Sequence, residues 1–167
     1  QSEDGGPVSS SSGISINVDD RFEQPTVDTT LFACSGIQGH GAASTKALAI
    51  FRRHSRVGGK LGGICTGSIT LARAGLLENQ RFTLHWENQP GFVEAFPDLA
   101  PSPHRFENDG GLLTCGGGVA STDMMLSMIA EDYGEDFAIA VADMCLNGPD
   151  IGTRSEQRSS IAKAISS

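Results

Sequence analysis

Apolar positions along the chain follow two alternating periods. Residues 13–20, GISINVDD, alternate apolar and polar, the pattern of a strand with one wet face. Residues 29–36, TTLFACSG, form a short continuous apolar run with a β-branched start. The run stops at Ser35 and Gly36, and it predicts a strand of a buried parallel sheet. The period then changes. Residues 42–56, AASTKALAIFRRHSR, place Ala47, Leu48, Ile50 and Phe51 on one side and gather basic residues late, where the helix dipole favours cations. This is an amphipathic helix stopped by Gly58 and Gly59. A short strand follows at 60–65, a helix at 66–77 that ends near Gly75, a strand at 81–86 (RFTLHW) and a proline-bracketed helix at 90–97. Residues 103–115 predict a hairpin that turns at 108–111, Asn-Asp-Gly-Gly. After three glycines comes a helix over 121–134, capped by Ser121 or Thr122, with Met124, Met125, Met128 and Ile129 toward the core. A further helix covers about 135–146, residues 147–152 break the chain, and a weaker helix resumes over 155–166.

Strands alternating with helices predict βαβ units, hence an α/β fold with a mostly parallel sheet and helices on both faces. Such a sheet ordinarily opens on a central strand and helix. This chain opens on residues 1–13, QSEDGGPVSSSSG, which read as a loop, so the first strand and helix of the fold are expected to be missing.

Composition narrows the class. The 167 residues, 38% apolar and 19% charged, suffice for one domain with its own core. No apolar run approaches the roughly 20 residues of a membrane span, and no signal segment opens the chain. The expectation is a soluble, cytoplasmic protein without membrane contact. Twelve Lys and Arg against 20 Asp and Glu give a formal charge of −8. That charge repels phosphate backbones, so this segment by itself is not expected to bind nucleic acid. The four cysteines form no CxxC pair and have no histidine at metal-ligand spacing, so neither a metal nor a cofactor is expected. Cys34 and Cys115 read as reduced core residues at strand ends.

The chemistry concentrates at residues 62–68, GGICTGS. A strand that ends in a cysteine and turns sharply into a helix has the outline of a nucleophile elbow. The small neighbours Gly63, Gly67 and Ser68 suit so tight a turn. A sulfur placed over a helix N-terminus is expected to have a lowered pKa. The amides there, with those near Ser35 and Gly36, are expected to hold an oxyanion or a ligand carboxylate, and a ligand is expected beyond the carboxyl ends of the strands. His85 ends the next strand. It is either the partner that activates Cys65 or a structural histidine bonded to a loop. Asp123 is a candidate third acid or simply a first-turn acid favoured by the dipole. Trp86 and Phe106 read either as core or as an apolar, cation-holding wall. His40, His54 and His104 read as exposed, and Arg52, Arg53 and Arg56 as a solvated face.

The run GGICTGSITLARAGLLENQRFTLHWEN, followed by LLTCGGGVASTDMMLSMIAEDYG, resembles the sensor domain of AraC-family transcriptional regulators of the GlxA type. That domain is a class I glutamine amidotransferase-like (PfpI-like) unit. The resemblance spans about residues 3–160. It implies a flavodoxin-like open sheet over residues 1–152, and residues 153–167 as the start of a linker toward a helix-turn-helix DNA-binding domain absent from this chain. It also implies a small-molecule effector, of the quaternary-amine or amino-acid kind, and the reading of the elbow and strand ends places that effector at Cys65, Thr66, His85, Ser35, Gly36 and Trp86. A homodimer is implied as well, touching DNA only through the absent domain. In related enzymes an acid beside the cysteine comes from the expected missing elements, which counts against catalysis here.

Two functions therefore stand side by side. One is a non-catalytic ligand sensor. The other is a cysteine-dependent hydratase of the isocyanide hydratase type, in which Cys65 attacks and His85 or a carboxylate moves the proton. HWEN, TCGGG, DMML and the EQRSS segment resemble the regulators more than the hydratases.

Overall fold

The computed structural model describes residues 1–10, 12–36, 43–147 and 155–158. Two short strands, β1 (Val8–Ser9) and β2 (Ser15–Ile16), pair antiparallel with Val8 opposite Ile16. The pattern over 13–20 thus yields only two paired residues, and the opening segment supplies their partner. The Ser10 hydroxyl accepts the Ile14 amide at 3.1 Å and closes the turn between them.

The main sheet contains β3 (Leu31–Ser35), β4 (Leu61–Cys65), β5 (Phe106–Asp109) and β6 (Leu112–Cys115), in the order β3-β4-β6-β5. The β3–β4 and β4–β6 pairs are parallel, and β5–β6 is the expected antiparallel hairpin. Its two-residue turn, Gly110 at φ 60° and Gly111 at φ 95°, is one that glycine enters freely. Side chains sort by parity to the two faces. Leu31, Ala33, Leu61 and Leu112 face one cluster with Leu48, Phe51, Ile69 and Leu71. Phe32, Ile64, Leu113 and Cys115 face the other with Ala120 and Met124. Helices α1 (Thr45–Arg56) and α2 (Gly67–Arg73) cover the first face, and α3 (Gln89–Ala95) adds Phe92 to it. Helix α4 (Val119–Tyr133) covers β5 and β6 on the second face, and α5 (Glu135–Met144) packs on α4. This is the open, mostly parallel flavodoxin-like α/β arrangement.

Several expectations need correction. Residues 82–84 are buried, but 81–86 forms no strand. Both edges of β6 are already paired, by β4 and β5, so Thr83 N donates to the Thr114 hydroxyl at 2.9 Å instead of joining a ladder. Helix α4 begins at Val119 after Gly118, so Ser121 and Thr122 lie in its first turn and do not cap it. Cys115 is fully buried, but Cys34 is exposed, because α4 lies over β5 and β6 and leaves that face of β3 uncovered. His54 is fully buried, its Nε2 2.8 Å from the Thr29 carbonyl. His104 is half-buried, with Nδ1 2.7 Å from the buried Glu107 carboxylate. Arg52 is not merely solvated. It donates to the Ala74 carbonyl at 2.9 Å and the Arg73 carbonyl at 3.0 Å, at the end of α2. Most of the weak helix expected over 155–166, and His40, lie outside the described residues. Residues 155–158 are not helical.

Candidate functional site

The elbow is real in its backbone. Cys65 ends β4 with φ 59°, a left-handed conformation that costs a non-glycine residue about 1–3 kcal/mol. The chain then enters α2 so closely against β3 that a Cβ on Gly67 would run into the Ala33 carbonyl. Two hydroxyls fasten the turn. Thr66 Oγ1 donates to the Gly36 carbonyl at 2.6 Å, and Ser68 Oγ donates to the Thr83 carbonyl at 2.7 Å.

The electrostatics of the thiol run against the expectation. Burial pushes the Cys65 pKa above its ordinary value of 9.0, and nearby Cys115 adds to the rise. The Thr66 amide bonded to the sulfur opposes this without overcoming it. Helix α2 is only seven residues long, so its dipole is short. Cys65 is therefore a protonated thiol at neutral pH, not the thiolate expected from the elbow.

Beside the elbow lies a cleft of about 200 Å³, lined among others by His85, Trp86, Arg105, Gly117, Ala120 and Gln157. This is below the roughly 300–1,000 Å³ of clefts that take drug-sized ligands, and it suits a small metabolite. Cys65 borders the cleft through Gly117, where an added Cβ would stand 3.3 Å from the sulfur. His85 Nδ1 accepts the Glu87 amide at 3.4 Å, at the head of a 3-10 turn over Trp86–Asn88. Among the described residues, Cys65 and His85 share no hydrogen bond. The other sequence candidates divide. Trp86 lines the cleft. Ser35 is the β3 partner of Cys65 and lines a separate groove along β3. Gly36 and the buried Thr66 are joined to each other and do not line the cleft. Phe106 belongs to the core. A larger groove of about 650 Å³, lined by Glu87, Pro90, Val93 and Pro101 among others, shares Trp86 and Gln157 with the cleft, and no elbow residue lines it.

Asp123 is buried and spent on an ion pair with Arg105, Nη2 to Oδ2 2.7 Å, so it offers no acid to the thiol. Sequence reasoning missed Arg105 and Gln157. Arg105 carried a faint signal, an opposite charge on the far side of the TCGGG turn from Asp123. Gln157 carried none, since its partners lie more than fifty residues away. Among the described residues, no three His, Cys, Asp or Glu side chains converge as a metal site, and no helix is long and apolar enough to cross a membrane.

The chain is 46% identical to the HTH-type transcriptional regulator GlxA of Rhizobium meliloti, over 95% of this chain and 49% of the relative. It is 39% identical to the HTH-type transcriptional regulator CdhR of Pseudomonas aeruginosa, over 96% of this chain and 48% of the relative. The chain thus spans about half the length of these relatives. Isonitrile hydratase of Pseudomonas putida is 31% identical over 79% of this chain and 58% of its own length. The crystal structure of a ThiJ/PfpI family protein from Pseudomonas syringae superposes with a TM-score of 0.77 at 26% identity, covering 98% of this chain and 69% of that one. Residues 2–131, which include the elbow, His85 and the Gly116–Gly118 turn, match the DJ-1/PfpI family, and the chain belongs to that family.

Proposed function

We propose that this chain is the effector-sensing, non-catalytic part of an AraC-type transcriptional regulator. Its effector is a small amine or amino-acid-like metabolite, held in the cleft between the Cys65 elbow and the His85–Trp86 wall. One observation carries the reading: among the described residues, neither His85 nor Asp123 serves the thiol as a proton acceptor. The thiol pKa is raised, His85 is not bonded to it, and Asp123 is held by Arg105. The cleft does have the groups a zwitterion needs. The Arg105 guanidinium has five donors, of which Asp123 engages Nη2, and suits a carboxylate. The Trp86 ring suits a cation, and here it holds the Arg158 guanidinium at 4.6 Å, which an effector cation would displace. Two relatives named as HTH-type regulators, both about twice as long as this chain, support the same reading. Residues 1–152 are then the sensor, and 153–167 lead toward a DNA-binding domain. The charge of −8 leaves DNA contact to that domain. A cytoplasmic homodimer is the expected working form.

The test is a thermal-shift panel with glycine betaine, carnitine, choline, arginine and other amino acids. An effector at 100 times its dissociation constant adds about 2.7 kcal/mol, a rise in Tm of about 5–10 °C for a chain of this size. Stabilisation that disappears in Arg105→Gln supports the reading. A panel without any shift counts against it.

One observation favours a second reading. Cys65 keeps the strained φ of 59° found in a nucleophile elbow, and a hydratase is among the relatives. Steady turnover of an isonitrile, lost in Cys65→Ala, would establish that reading and overturn the first.

A further inference from the structure

The segment 155–158 returns from the far end of the chain and lies against the cleft. It meets 103–105 in an isolated antiparallel bridge. Arg105 N donates to the Ser155 carbonyl at 2.8 Å, Gln157 N donates to the Pro103 carbonyl at 3.0 Å, and Glu156 sits opposite His104. The Gln157 side chain then enters the cleft wall. Its Nε2 faces three acceptors: Thr83 Oγ1 at 3.0 Å, the Leu84 carbonyl at 2.9 Å and the His104 carbonyl at 2.9 Å. Its Oε1 accepts the Trp86 amide at 2.9 Å. The next residue, Arg158, places its guanidinium 4.6 Å from the centre of the Trp86 ring. One side chain thus ties residues 103–105, the buried Thr83 and the His85–Trp86 wall to segment 155–158.

The path from the elbow to this seat is two glycines thick and has no slack. A Cβ on Gly117 would stand 2.8 Å from the Cys65 Cβ, and a Cβ on Gly116 would run into the Gln157 carboxamide. Anything that enlarges the space around Cys65 therefore presses on Gly117 and Gly116, and through them on Gln157. Packed interiors pass such a push on rather than absorb it. If Gln157 withdraws, the Trp86 amide loses its acceptor, and the Thr83 hydroxyl and the Leu84 and His104 carbonyls each lose one donor at the same moment, Gln89 Nε2 and Thr83 Oγ1 staying on the two carbonyls, so the contacts of the seat are made or broken as a set.

We propose that Gln157 is the positioning residue of the candidate effector site, and that 155–158 is the latch through which occupancy of the site reaches the chain beyond it. This rests on reading the cleft as an effector site. It adds the route by which that site is heard.

Trp86 is the only tryptophan in the chain, so its emission reports the Arg158 seat directly. The exposed Cys34 and Cys145 are first replaced by serine, leaving Cys65 and the buried Cys115. Iodoacetamide at alkaline pH then places one carboxamidomethyl group on Cys65 as a stand-in for occupancy, and the chain is returned to neutral pH. The adduct is expected to speed tryptic cleavage after Arg158 by about 5-fold or more, the low end of ordinary coupling between sites, and to shift Trp86 emission to the red. Gln157→Met, which keeps the length and loses the hydrogen bonds, is expected to produce both changes without the adduct, and the adduct should then add nothing. A stoichiometric adduct that changes neither readout overturns the proposal. So does a Gln157→Met chain that frees Arg158 while the adduct on the parent chain does not, because Gln157 is then only a structural strap. If Gln157→Met fails to fold, the alkylated parent decides alone. Neither readout uses an effector, so a negative ligand panel and a negative latch experiment remain separate results.

Discussion

Cys65 and Gly117 are fitted to each other with no room for one methyl group: a Cβ on Gly117 would lie 2.8 Å from the Cys65 Cβ. Gly117 also sits at φ 84°, where an L residue is strained. Gly117→Ala combines that strain with overpacking and is expected to cost about 2–4 kcal/mol. Denaturant unfolding measures it. A loss below about 0.5 kcal/mol, the level of an ordinary surface substitution, would mean that the turn and the elbow do not touch as described.

The strain at Cys65 makes a second prediction, with a reversed sign. Alanine ordinarily outranks glycine in a strand by about 0.5–1 kcal/mol. At φ 59° the order inverts, because only glycine adopts this conformation without cost. Cys65→Gly is expected to be more stable than Cys65→Ala by about 1 kcal/mol. Both variants lose the sulfur, so its burial cancels in the comparison. Equal stability, or the usual order, would place Cys65 in ordinary backbone.

The raised thiol pKa sets a pH dependence. Folding favours the neutral form of Cys65, so its contribution to stability is fully present below the ordinary value of 9.0 and is lost as pH climbs through the higher folded value. Stability should fall above about pH 9, and Cys65→Ser should lack that part of the fall. In the chain without Cys34 and Cys145, iodoacetamide should alkylate Cys65 more slowly at neutral pH than it does a free thiol. The rate should still be climbing above pH 9. Faster alkylation than a free thiol at neutral pH would restore the thiolate expected from the elbow and strengthen the hydratase reading.

Local features of this fold were legible because they depend on neighbours in sequence. Gly110 and Gly111 announced the hairpin, and GGICTGS announced a turn whose cysteine does take a left-handed φ. What stayed hidden depends on which groups are already taken. RFTLHW has strand composition, but no free edge of β6 remains for it. The helix end over 66–68 suggested a thiolate, but burial decides the sign, and burial is a property of the assembled sheet. Arg52 looked solvated because its charge is exposed, while its stem reaches two carbonyls twenty-odd residues away. Of the candidate site, the Cys65 elbow and the cleft-lining His85 and Trp86 were named from sequence. Arg105 and Gln157 join the cleft lining only through contacts distant in sequence.

Arg52 offers a stability test remote from the cleft. Its guanidinium answers two carbonyls, Arg73 and Ala74, that α2 leaves open at its end. Arg52→Met keeps most of the stem and removes the donors. A loss of about 1–2 kcal/mol is expected, with effector binding unchanged because none of Arg52, Arg73 and Ala74 lines the cleft. A neutral result in thermal or denaturant unfolding would mean that water serves those carbonyls equally well.

The Arg105–Asp123 pair separates structure from recognition. Asp123 is buried, and Arg105 is its 2.7 Å partner while also lining the cleft. Arg105→Gln leaves a carboxylate without its cation and should cost about 1–3 kcal/mol. The double variant Arg105→Gln with Asp123→Asn removes the stranded charge and should recover most of that loss. Effector binding should not recover with it, because the guanidinium proposed to meet the ligand carboxylate is gone from both chains. Unfolding curves for the single and double variants, set beside the thermal shift each shows with an effector, read the two roles independently. Recovery of stability and ligand response together in the double variant would reduce Arg105 to a structural cation and move the carboxylate site elsewhere in the cleft.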